Sequence, residues 1–163
     1  MKKYVRKLMA FCLILNLFAI CVIPVYATEA PLNCEKTIDG SRLTHEQVAE
    51  SILYNRSRGN LLNRAVARIS DNEDGTVNVY GAVMAGVVCE KLRLEMTLQR
   101  LEGNSWKNVT SYSDISYNQS LLTKSYNRSV KGGYYYRLKA ACIATKGGTS
   151  ESQMPVTNGI WID

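Results

Sequence analysis

The sequence predicts an all-β domain, a two-sheet antiparallel sandwich of about seven short strands, and three observations carry that prediction. From Ala65 onward apolar residues recur at every second position, the period of strands with one buried face. Clusters of Gly, Asp and Asn interrupt this pattern at intervals of about 8 to 12 residues, the spacing of hairpin turns in such sandwiches. Once an N-terminal leader is set aside, about 136 residues remain, enough to enclose a single core.

Three strands are well marked. Val77, Val79, Gly81 and Val83 share one face while Asn78 and Tyr80 point the other way. Leu92, Leu94, Met96 and Leu98 alternate with Arg93, Glu95, Thr97 and Gln99. Tyr134, Tyr136, Leu138, Ala140 and Cys142 alternate with Tyr135, Arg137, Lys139, Ala141 and Ile143. Weaker patterns predict further strands over Ala65 to Ser70, Trp106 to Tyr112, Leu121 to Ser129 and Met154 to Ile162. Turns fall at Asp71 to Gly75, Glu102-Gly103-Asn104, Lys131-Gly132-Gly133 and Lys146-Gly147-Gly148.

Residues 1–27 have the pattern of a cleaved secretory signal peptide. Lys2, Lys3, Arg6 and Lys7 precede an apolar run from Leu8 to Tyr26 broken by Asn16, and Val25-Tyr26-Ala27 supplies the small residue expected at a cleavage site. An uncleaved anchor fits less well because Ala27 follows Val25, and Ile20 before Cys21 disfavours lipidation. No second apolar run or sorting signal occurs, so the predicted product is exported, soluble and released. Removing the leader takes four of the 20 basic residues and none of the 14 acidic ones, so the formal net charge falls from +6 to +2. A nearly neutral chain gives no electrostatic case for nucleic acid.

Residues 28–63 read as a polar N-terminal arm, and residues 64–163 as the sandwich. Thr44 and Gln47 have capping-box spacing, and Val48 and Ile52 fall at helical spacing, which supports a short helix over about His45 to Tyr54. A mostly irregular arm is the simpler expectation, because little apolar surface is present to offset the entropy of ordering it.

The segment Gly133-Tyr134-Tyr135-Tyr136-Arg137-Leu138-Lys139-Ala140 resembles the sixth strand of fibronectin type III or immunoglobulin-like sandwiches. That resemblance implies a structural tyrosine whose hydroxyl bonds back to backbone, with Tyr134 the candidate. A wider set of segments is similar to an uncharacterised family of small secreted Gram-positive bacterial proteins, a domain of unknown function. The set comprises Asp39-Gly40-Ser41-Arg42-Leu43-Thr44, Asp74 to Gly81, Trp106, the tyrosine strand, Glu151-Ser152 and Thr157-Asn158-Gly159-Ile160. This second resemblance implies fold and export but no activity, and Cys142 stands where members often carry histidine.

A fibronectin-like order makes the third and sixth strands antiparallel neighbours. Cys89 would then approach Cys142, and export permits a disulfide. Parity opposes it, since Cys89 is out of step with Leu92 and Leu94 unless a bulge intervenes. Cys34 would be left over.

Catalytic motifs are scarce. His45 is the only histidine, which excludes two-histidine metal motifs, and a solvated surface histidine is its plainest reading. Cys34 and His45 lack a nucleophile setting. Asp71-Asn72-Glu73-Asp74-Gly75 is dense in carboxylates but lacks calcium-loop spacing, so a hairpin turn explains it better. No metal or cofactor is therefore expected. Sequons at Asn55, Asn108, Asn118 and Asn127 are incidental in a bacterial exported protein.

The best candidate for function is a surface. With the third and sixth strands paired, the face opposite the core gathers Arg93, Glu95, Tyr135, Arg137 and Lys139, and Trp106, Tyr112, Tyr117 and Tyr126 form a second aromatic set around the middle strands. Rings cover apolar sugar faces and guanidinium groups take bidentate acceptors, so the patch suits an acidic glycan or a carboxylate-bearing protein. The competing explanation is ordinary strand composition, with Glu95 pairing across to Arg137 and Trp106 in the core. The expected function is a secreted, non-enzymatic binding module for an extracellular glycan, cell-wall polymer or protein. The alternatives are a self-assembling structural protein and, less favoured, a hydrolase with an unrecognised site.

Overall fold

The computed structural model describes residues 36–55 and 61–163. They form an all-β unit with no helix, a curled sheet of nine strands with mixed pairing. The strands are β1 (Thr37–Ile38), β2 (Ser41–Thr44), β3 (Val48–Tyr54), β4 (Leu62–Asp71), β5 (Thr76–Glu102), β6 (Ser105–Ser129), β7 (Tyr134–Lys146), β8 (Thr149–Gln153) and β9 (Gly159–Ile162). The leader expected over residues 1–27 and Cys34 lie outside the described residues.

Strand β5 organises the sheet. At 27 residues it is several times longer than a usual strand, and it runs through both halves of the fold. Its first half pairs with β4 and with the end of β6, while its second half pairs with β7 and with the start of β6. Between the halves the register with β6 shifts from Met84 to Cys89, and this irregularity bends the strand. The two strands expected around Val77 and Leu92 are therefore one bent strand. Those expected around Trp106 and Leu121 are likewise the two ends of β6.

The bend folds the sheet back on itself, so its inward faces meet. Val77, Val79 and Val83 of the first half and Leu92, Leu94, Met96 and Leu98 of the second are fully buried, as the period-two pattern predicts. Gly81 lies where the halves pack closely: a Cβ there would stand 2.7 Å from Met96 Sδ and 3.0 Å from Leu94 Cδ1. Where two sheets of about seven short strands are expected, one continuous sheet supplies both layers.

The largest departure concerns the polar arm. The short helix expected over about His45 to Tyr54 is absent, and Val48–Tyr54 is instead β3, paired along its length with β4. As an edge strand it buries only Ala49, so its apolar residues never show the alternation that identifies strands. Ahead of it, β1 and β2 form a hairpin turning at Asp39 and Gly40, whose φ values of 49° and 74° suit an Asp-Gly turn with two left-handed residues. Strand β2 then pairs in parallel with β9, matching Leu43 with Gly159. This joins the β1–β2 hairpin to the last described strand and lays it beside the outer face of β7.

Candidate functional site

The expected pairing of the Leu92 and Tyr136 strands is present: β5 and β7 run antiparallel with Leu94 opposite Cys142 and Leu98 opposite Leu138. Their outer face, however, is not an open basic patch. Arg137 is only 4% exposed. Its Nη1 donates to the Asp39 carbonyl and to Ser41 Oγ, each at 2.9 Å, its Nε donates to Gln99 Oε1 at 2.9 Å, and its Nη2 donates to Asp39 Oδ2 at 2.6 Å. Trp106 covers the guanidinium at 4.4 Å and is itself held by an Nε1 bond of 3.1 Å to the Ile38 carbonyl. The Arg137 guanidinium beside Asp39 holds that carboxyl below its ordinary value of 3.8.

Arg137 therefore anchors the hairpin to the sheet, and every donor it points at this cage is taken up inside the fold. The cage continues through Ser41 Oγ, which donates to the Thr157 carbonyl at 2.8 Å, and Thr157 Oγ1, which accepts from Leu138 N at 3.0 Å. The Asp39 to Thr44 and Thr157 to Ile160 segments thus meet through the β2–β9 pairing. The correction has a physical cause, since 28–63 was expected to be an arm, whereas part of it is the cover over this face.

The other candidates separate. Arg93 pairs with Glu95 on its own strand, in place of the expected Glu95 to Arg137 pair. Gln99 faces Arg137 in the register, so Arg93 lies six positions away, about 20 Å along the strand. Lys139 is half-buried beside Val156 and contributes to lowering the Asp39 carboxyl. Tyr112 and Tyr126 stack on one another at 4.3 Å, and the Tyr126 hydroxyl donates to Asp114, so these aromatics clasp the two ends of β6. Tyr117 is exposed.

Two structural expectations are also corrected. The hydroxyl that bonds back to backbone belongs to Tyr136, which donates to the Lys131 carbonyl at 2.7 Å and accepts from Lys131 N at 3.1 Å. Tyr134 instead lies under Arg100, at 4.6 Å. Cys89 and Cys142 are free and buried, not bridged. Cys142 faces Leu94, five positions from Cys89, or about 15 Å along β5, far beyond the roughly 7 Å limit between bridged Cα atoms. Burial pushes the Cys142 thiol up to about 12, and its Sγ lies 3.5 Å from the Ala82 carbonyl.

None of the expected ligand residues lines a concave site, but Tyr135 braces the wall of one. Its hydroxyl shares a 3.2 Å hydrogen bond with His45 Nε2, and its ring meets Trp161 edge-on at 5.0 Å. His45 and Trp161, 6.0 Å apart, then form one wall of a cleft of about 480 Å³. The rest of the lining comes from the β2–β3 connection (Glu46, Gln47), the β4–β5 turn (Asp71, Glu73, Gly75) and the chain end (Ile162, Asp163).

Local bonding sets this shape. Asp71 N donates to the Gln47 carbonyl at 2.8 Å, tying the connection to β4, and Gln47 Nε2 donates to Glu73. Asp71 Oδ1 accepts from Glu73 N and Asp74 Oδ1 accepts from Thr76 N, each at 2.9 Å, so Asp71 to Gly75 is a carboxylate-stabilised hairpin turn. Trp161 Nε1 donates to Asp163 Oδ1 at 2.8 Å, fixing the indole. Among the described residues no group of three His, Cys, Asp or Glu side chains has metal-binding geometry.

Sequence reasoning missed Trp161, Glu46, Gln47 and Asp163 as site residues. One signal was available for Trp161: Ile160 and Ile162 are buried on either side of it, so alternation turns the indole outward beside Tyr135. No family model matches this chain, and no curated protein matches it.

Proposed function

We propose that this chain is an exported, non-enzymatic binding module of the immunoglobulin-like sandwich type, and that it takes an extracellular glycan or cell-wall polymer in the Trp161–His45 cleft. The observation that carries the reading is the cleft itself, a concavity with an aromatic wall beside carboxylate and amide acceptors. Such a combination covers an apolar sugar face and receives its hydroxyls. The fixed roles of the lining acids support binding over catalysis, since Asp71, Glu73 and Asp163 each accept a bond from a neighbour that shapes the cleft. The sandwich assignment draws on the folded-back sheet and the Tyr136 hydroxyl, and export draws on the leader pattern of residues 1–27.

The test is retention of the purified protein on a glycan array and on isolated cell wall, with N-terminal sequencing of the secreted form. Retention lost in Trp161→Ala, with the melting temperature kept, is the expected result, together with a mature chain starting at Thr28. Uniform failure to bind any glycan or wall polymer overturns the reading.

Self-assembly is the second reading, favoured by edge strands that carry exposed apolar side chains, Ile52, Leu53 and Tyr54 on β3 and Ile115, Tyr117 and Leu121 on β6. Light scattering that shows growth with concentration would support it over the first.

A further inference from the structure

We propose that the cleft selects ligands bearing a protonated amine, so that within the glycan class its preferred ligand is an amino sugar with free ammonium groups. This rests on the binding reading above and adds the charge of the ligand to it. Four carboxylate residues, Glu46, Asp71, Glu73 and Asp163, line the cleft, and neither lysine nor arginine does. By contrast, Asp39, Glu95, Glu102 and Asp114 each lie in an ion pair with arginine or lysine. Among the described residues no such pair reaches any of the four cleft acids. The cleft therefore gathers four carboxylates with no basic side chain in its lining.

The aromatic wall favours a cation as well. An indole face attracts a cation more strongly than the other aromatic rings do, and Asp163 holds this indole in place through its Nε1. Tyr135 braces His45 through the hydroxyl bond and Trp161 through edge contact, so the wall is organised before any ligand arrives. A sugar ring against Trp161 with its ammonium turned to the acids would use both features at once. Acetylation of that amine removes its charge and its salt-bridging hydrogens, so the attraction to the acids is lost.

The measurement is calorimetric titration of the whole protein, at about pH 5.5–6 where the sugar amine is protonated and carboxylates stay ionised, with a glucosamine tetramer, its fully N-acetylated counterpart and a glucose tetramer. The glucosamine tetramer is expected to bind at least tenfold more tightly than the other two, and raising salt is expected to weaken it several-fold while leaving the others nearly unchanged. A Glu46→Gln, Glu73→Gln double variant that keeps its melting temperature should lose the preference and retain weak binding, whereas Trp161→Ala should lose binding of all three. Equal or tighter binding of the N-acetylated or glucose tetramer overturns the amine inference and leaves the binding module standing. Failure of all three to bind, with wall polymer still retained, also overturns it. Failure of all three together with loss of wall retention overturns both.

Discussion

Arg137 is the residue on which surface chemistry and structure part company. A guanidinium that reads as a ligand contact is the internal fastener of the β1–β2 hairpin, with Asp39, Ser41 and Gln99 as acceptors and Trp106 as lid. Replacing it by methionine removes four charge-assisted bonds and the stacking, and should destabilise the protein by roughly 2–4 kcal/mol in urea unfolding, with no loss of ligand beyond that due to unfolding. Asp39 makes the same contact pH-dependent. Its folded-state value lies below 3.8, so its stabilisation is present above about pH 4 and is lost as pH falls through the folded value. Asp39→Asn, which keeps the left-handed turn residue, should flatten this acid limb of the stability profile. Cys142 acts at the other end of the scale. Because burial raises its thiol from 9.0 to about 12, the unfolded chain releases that proton first, and stability should fall as pH rises from about 9 towards 12. A Cys142→Ala variant should have a shallower slope in chemical denaturation at fixed pH, the remainder coming from Cys89 and Tyr126, whose values are also raised. Alkylation under denaturing conditions should label both Cys89 and Cys142 without prior reduction.

Strands were legible in the sequence in proportion to how their burial is distributed. The Leu92 to Leu98 segment has a core on one face and solvent on the other, so its alternation is complete, and its antiparallel pairing with β7 follows. Strand β3 has one neighbour and buries a single alanine, so Val48 and Ile52 imitate helical spacing. The β2–β9 pairing joins residues more than a hundred positions apart, and nothing local in Leu43 or Gly159 announces it. Tyr134 and Tyr136 share a face by alternation, and only the path of the Lys131 turn decides which hydroxyl returns to backbone. Continuity of β5 was hidden for a similar reason, because the bulge after Met84 reverses the inward parity and resembles a break between two strands. Gly81 permits the folded-back geometry. Gly81→Ala should be tolerated, since the Met96 thioether can move, whereas Gly81→Val should cost roughly 2–3 kcal/mol in thermal or urea unfolding by driving the two halves of β5 apart.

For the molecule as a whole, the curled sheet divides the two tryptophans between two tasks. Trp106 seals the Arg137 cage, where a Cβ on Gly159 would come within 2.8 Å of its Cη2, and Trp161 faces the acidic cleft. The candidate site was half visible in the sequence. Alternation turns Tyr135 outward, but Trp161 reaches it through the antiparallel β7–β9 pairing, and His45 through the parallel closure of β2 on β9 that ends at Thr44. Because the chain has just these two tryptophans, their indole N–H signals separate the cleft from the cage. Titration of the nitrogen-labelled protein with the glycan it retains best should shift the Trp161 indole signal progressively and leave that of Trp106 in place. A shift of the Trp106 signal with Trp161 unmoved would put the ligand on the Arg137 face and contradict the assignment of the cleft.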